Sequence, residues 1–216
     1  MNEAFIFDSI RSPRGKNKNG SLSQITPVDL LSKLMLALEK KYQLDTSLIN
    51  DVIIGCVMPV NDQGANIGKI AAQYSGWDVD IPSMQINRCC GSGLEAVNLA
   101  AMKIRSGWED LIVSGGIECM SRVPIGADGG PMAFETKVAS RTNYVPQGIG
   151  ADLIATIEGF TRRDLDAYAL MSQKRASEAI KNKRFRSIVP IYDQNELLLI
   201  AEDEHCLLYT SDAADD

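Results

Sequence analysis

The run Val52-Ile53-Ile54-Gly55-Cys56-Val57 contains no polar side chain. A strand with one solvated face alternates apolar and polar residues. A run without alternation is buried on both faces, which is the habit of a parallel sheet covered by helices. Ala4 to Asp8, Ser83 to Ile86 and Leu111 to Gly116 read as three further strands, the first of them buried. Helical patterns lie between them. Thr26-Pro27-Val28-Asp29 opens a helix with a Thr cap, Pro at the first helical position and an acid three residues after the cap. Leu30, Leu31, Leu34, Met35 and Leu38 give that helix one apolar stripe. Ile67 to Tyr74 reads as a helix ending near Gly76, and Leu94, Val97, Ala101 and Ile104 share one face of another. Strands alternating with helices predict an α/β fold with a largely parallel sheet.

The pattern changes after Glu118. Gly126 to Pro146 is rich in Gly, Pro and polar residues, and Gly148 to Gly159 has room for a short helix. Thr161-Arg162-Arg163-Asp164 is a second capping box, opening a long helix to about Lys183 with the stripe Leu165, Tyr168, Ala169, Ser172, Ala176 and Ala179. This part reads as an insertion over the α/β core. Three segments follow: 1–118, the α/β part; 119–205, the insertion; and 206–216. In the last, Cys206 to Asp216 completes no element and reads as a translated adapter after a partial gene, outside fold reasoning.

Charge excludes some functions. Among 216 residues, 28 Asp plus Glu stand against 22 Lys plus Arg, which argues against nucleic acid as a main partner. Lys174 to Arg186 is diluted by Glu178 and apolar residues, so it reads as a solvated helix face. The five cysteines, at 56, 89, 90, 119 and 206, form no Cys-x-x-Cys pair, so neither a metal site nor a disulfide framework is expected. No secretory signal or membrane-length apolar stretch is visible, and a reducing, cytoplasmic setting is expected.

Asn87-Arg88-Cys89-Cys90-Gly91-Ser92-Gly93 sits where a strand gives way to a helix. Cys90 is placed at the helix start, facing unpaired N–H groups and the positive end of the helix dipole. That setting favours the nucleophilic thiolate. A small buried hydrophobe is the plain alternative for any free Cys, and Cys89, ending the extended segment, is expected to pack inward. Gly91 to Ala96 also fits the dinucleotide fingerprint, but in the third βα unit, with two cysteines between strand and first Gly. A Gly-x-Ser-x-Gly elbow is absent, and Gly115-Gly116 reads as a strand-ending turn or a close approach to a ligand. The single histidine, His205, lies far from Cys90 in sequence, although a cysteine nucleophile usually needs a base.

Cys90 just before Gly-Ser-Gly resembles the nucleophile motif of thiolases. Ser114 to Ser121 resembles that family's next segment, with Ile117 and Cys119 where Met and Ser are usual. Arg11 to Lys16 is similar to its opening loop, Arg163 to Ala176 to its loop-domain helix, and Phe185 to Pro190 to the strand after it. The resemblance implies the N-terminal half of a five-layered αβαβα core with an inserted loop domain, truncated before the second half with its catalytic His and second Cys. It implies acyl transfer through a thioester on Cys90, as 3-oxoacyl-CoA thiolysis or acetoacetyl-CoA synthesis. Acyl-CoA and CoA are then substrates, with no cofactor, and the intact protein a homodimer or homotetramer. The fragment alone is expected to be inactive. Gln147 and Leu153 stand where the family's CoA-touching segment commonly has Met and Asn, which puts its chain-length preference in question. The rival reading is a non-catalytic CoA- or dinucleotide-binding module.

Overall fold

The computed structural model describes residues 2–207; positions 208–216 of the expected tail lie outside the described residues. The chain separates into two compact units. Residues 2–128 with Ser187–Glu204 form one, and Gly129–Arg186 with 205–207 the other. The contacts thus draw the division differently from 118/119. The first unit runs on to Asp128 and takes back a later segment.

The first unit is built on three parallel strands, β1 (Asp51–Gly55), β2 (Ser83–Ile86) and β3 (Ile112–Gly116), in the order β2-β1-β3. All five residues of central β1 are buried, Val52 to Gly55 as their unbroken apolar run requires and Asp51 with its carboxylate paired to Lys103. Val52 and Ile54 pack in one cluster with Leu31 and Met35 of α1 (Pro27–Tyr42) and Ile67 and Ala71 of α2 (Ile67–Tyr74). Ile53 packs in another with Ala96 and Ala100 of α3 (Ser92–Ser106). Helices therefore cover the sheet on both faces, and each buried Val or Ile of β1 contributes about 2 kcal/mol of transfer free energy. The helix starts follow the sequence signals. Asp29 donates its N–H to Thr26 Oγ1 at 3.2 Å with Pro27 in the first turn, and Asn66 caps α2 through the N–H of Lys69.

Ala4 to Asp8 is not a strand. Phe5, Ile6 and Phe7 are 69%, 76% and 85% exposed. Their apolar character suits a strand, but a strand exists only where it pairs, and this segment joins neither outer edge of the β2-β1-β3 sheet. The returning segment is better tied. Arg11 and Val189 donate their N–H groups to Ser187 O and Arg11 O, each at 2.9 Å. A hairpin then follows, β4 (Ile191–Tyr192) against β5 (Leu198–Ile200), and buries Ile191 and Ile200 against Ile25 and Leu30. The strand expected over Phe185 to Pro190 is thus a single bridge, Arg11 to Ile188, ahead of β4.

The second unit holds α4 (Pro131–Phe134), α5 (Thr136–Thr142), α6 (Gln147–Glu158) and α7 (Arg162–Lys181). The Thr161–Asp164 box closes reciprocally: Thr161 N–H donates to Asp164 Oδ2 at 2.9 Å, and Asp164 N–H to Thr161 Oγ1 at 3.3 Å. None of the described residues of these four helices is fully buried: Leu165, Tyr168, Ala169 and Ser172 of the expected stripe are exposed, and Ala176 and Ala179 are half-buried. Among the described residues no helix is long and apolar enough to cross a membrane.

Candidate active site

The parallel strands end together. Gly55 of β1 is in register with Ile86 of β2 and Gly116 of β3. The Cys90 loop leaves the sheet there. Asn87, Arg88, Cys89 and Cys90 are all exposed, and α3 begins at Ser92 with Gly91 as its N-cap. Cys90 therefore lies one residue before the cap, beside the helix start as the sequence suggests, but the first N–H groups there are not unpaired: Gly91 donates to Arg88 O at 3.1 Å and Ser92 to Cys89 O at 3.0 Å. Cys89 does not pack inward. Its φ of +46° puts it in the left-handed region, and its side chain is exposed. That conformation disfavours a residue carrying a Cβ, and it is held from both sides. Cys89 donates its N–H to Asn87 Oδ1 at 2.9 Å, while its carbonyl accepts from Ser92 Oγ at 2.6 Å and Ser92 N–H at 3.0 Å. Arg88 donates its N–H to the same Ser92 hydroxyl at 2.9 Å, so one nearly buried serine closes the turn.

Glycines let this helix start sit hard against the sheet. A Cβ on Gly55 would lie 2.4 Å from Ser92 C and 2.6 Å from Gly93 N, and one on Gly116 would lie 3.3 Å from Gly93 Cα. Gly116, the last residue of β3, thus also serves helix–sheet contact. Gly115 meets nothing within 4 Å, and the structure does not explain why it is glycine.

A polar clamp stands beside the loop. The buried Gln63 side chain donates to Met58 O at 2.9 Å and Glu118 Oε1 at 2.7 Å, and accepts from Cys119 N–H at 2.6 Å. Val57 N–H donates to Glu118 Oε2 at 2.8 Å, and Asn87 Nδ2 to Val57 O at 2.9 Å. Sequence reasoning missed Gln63. It sits in a polar stretch like any other, and only the fold brings it under Glu118. Two other thiols border this clamp. Burial, then the charge of Glu118, pushes the Cys56 thiol up to about 11 and the Cys119 thiol up to about 12. Both stay protonated at neutral pH and are poor nucleophiles.

His205 is exposed and belongs to the second unit, as do Gln147 and Leu153 of α6, both also exposed. Among the described residues no group of three or more His, Cys, Asp or Glu side chains is placed to hold a metal ion.

Residues 4–208 match the family model described as "Thiolase, N-terminal domain". The chain is 34% identical over 211 residues to a 3-ketoacyl-CoA thiolase of Shewanella loihica and 36% identical over 211 residues to one of Shewanella baltica. In each case 94% of this chain and 54% of the relative is covered. It is 31% identical over 198 residues to the steroid 3-ketoacyl-CoA thiolase FadA6 of Mycobacterium tuberculosis, covering 87% of this chain and 48% of that protein. The chain spans about half the length of these relatives. The family-model match and these identities show that the chain belongs to the thiolase family, whose N-terminal domain it carries.

Proposed function

We propose that Cys90 is the nucleophile of an acyl transfer between CoA thioesters, acting in a whole protein of which this chain supplies the first part. The Cys90 thiolate adds to the 3-keto carbon of a 3-ketoacyl-CoA. The C2–C3 bond breaks, the acetyl-CoA carbanion takes a proton, and the acyl group left on sulfur passes to incoming CoA. The reverse course joins two acetyl units. The base that activates Cys90 and the acid that delivers the proton come from thiolase sequence this chain does not span. Acyl-CoA and CoA are the partners, no cofactor takes part, and the protein works in the cytoplasm as a homodimer or homotetramer.

One observation carries this reading: Cys90 is open to solvent at the start of α3, in a turn fixed at several points, while Cys56 and Cys119 are held protonated. The test joins this chain to the missing part of a thiolase and follows thiolysis of acetoacetyl-CoA. Cys90→Ser should lower kcat by about 10⁴-fold or more, the scale of losing a nucleophile, and acetyl-CoA should leave an acetyl group on the Cys90 peptide. Full activity in Cys90→Ser overturns the reading. The 216-residue chain alone should show no turnover. Tight NAD binding with an unreactive Cys90 would favour the binding-module reading instead.

A further inference from the structure

We propose that Glu118 and Asn87 are positioning residues for Cys90, acting through the backbone of Val57. The inference rests on Cys90 as nucleophile and goes beyond it. Glu118 follows β3, Val57 follows β1 and Asn87 follows β2, so three neighbouring strand ends meet in one hydrogen-bonded line. Val57 is held on both backbone polar groups, its N–H by Glu118 Oε2 at 2.8 Å and its carbonyl by Asn87 Nδ2 at 2.9 Å. The other end of the Asn87 amide, Oδ1, takes the Cys89 N–H at 2.9 Å. Cys89 is the left-handed residue that turns the chain into Cys90. The line from Glu118 thus ends on the peptide whose strain sets where the sulfur points.

The far end is anchored. Glu118 Oε1 takes a 2.7 Å bond from Gln63, whose side chain is fully buried and also holds Met58 O and Cys119 N–H. Glu118 itself is exposed, and both its oxygens grip the one connection between β1 and α2, Oε2 at Val57 and Oε1 at Gln63, so its bonds do little for the core and tie that connection to the end of β3. Nearby, Arg88 Nη2 pairs with Glu95 at 3.0 Å on the surface of α3, outside this line. Neither Glu118 nor Asn87 needs to touch substrate. Their effect on Cys90 is mechanical.

The test is iodoacetamide labelling of the 216-residue chain, read at Cys56, Cys89, Cys90 and Cys119 by peptide mass spectrometry. The variants are Glu118→Gln, which sets an amide donor where both oxygens now accept, and Asn87→Asp, which keeps the acceptor for Cys89 and removes the donor to Val57. Each should change the Cys90 labelling rate by roughly fivefold, the factor of one lost hydrogen bond, while Cys56 and Cys119 stay unlabelled. Because the residues form one line, the double variant should change it no more than the larger single change. An unchanged Cys90 rate in both variants overturns the proposal. So does labelling of Cys56 and Cys119 alongside Cys90, which marks general loosening, and so do additive effects. If Glu118→Gln does not fold, Asn87→Asp decides alone. Alkylation needs no turnover, so this result is read separately from the loss of thiolysis in Cys90→Ser that tests the nucleophile itself.

Discussion

Arg11 and Asp203 meet side-on across nearly the whole chain, Nη1 to Oδ1 at 2.7 Å and Nη2 to Oδ2 at 2.8 Å. The same carboxylate takes the Arg14 N–H at 2.8 Å, and Glu204 beside it takes the N–H of Lys16 at 2.7 Å and the Ser21 hydroxyl at 2.5 Å. Two adjacent acids of the returning segment thus fix the opening loop. Burial pushes both carboxyls up, but these donors outweigh it and hold both below the usual carboxylate range.

Asp203→Ala should therefore cost about 1.5–3 kcal/mol at pH 7, the worth of charged hydrogen bonds left unmade. A group whose pKa falls on folding stabilises above its unfolded value, about 4, and loses that contribution as pH falls through the folded value. Urea midpoints should differ between the unaltered and Asp203→Asn chains at pH 7 and converge well below pH 4. An equal gap at both pH values contradicts the tether.

Gly55→Ala should be far worse than Gly115→Ala. A methyl at 55 runs into the backbone of Ser92 and Gly93, whereas one at 115 meets open space. The first should lose about 1–3 kcal/mol or more, the cost of overpacking, and the second should stay within about 0.5 kcal/mol. Denaturant melts of the two variants settle it.

Ile53→Ala should cost about 2–5 kcal/mol, because Ile53 is fully buried between β1 and α3 and the rigid strand cannot close the cavity. Leu94→Ala, on the same helix but 69% exposed, should change the urea midpoint little. Equal losses would mean the α3 face of the sheet is not the core described here.

Between pH 7 and 9, iodoacetamide should modify Cys89 and Cys90 and spare Cys56 and Cys119 until urea is added. Comparable labelling of Cys56 in the folded chain would refute its burial.

Where the structure is local, the sequence announced it. Thr26 with Pro27, and Thr161 with Asp164, carry their helix starts within four residues, and both caps form. The apolar run from Val52 marked the central strand because burial on two faces favours apolar residues; Asp51, buried at its start against Lys103, was not legible. Ala4 to Asp8 failed for the opposite reason: pairing depends on an edge elsewhere, and the local pattern is silent about edges. The place of Cys90 just ahead of α3 was legible from the helical pattern after it. The outward turn of Cys89 was not, since a left-handed residue other than Gly or Asn leaves no mark on composition. Gln63 was illegible too, its role arising only when two strand ends are brought side by side.

The order β2-β1-β3 has a consequence for synthesis. The central strand leaves the ribosome first and both neighbours come later, each after a helix. Until Ser83 to Ile86 emerges, the greasiest stretch of the nascent polypeptide has no edge to bind and invites chaperones or aggregation. Slowing translation after Gly55 would lengthen that vulnerable window; slowing it after Gly116 would not.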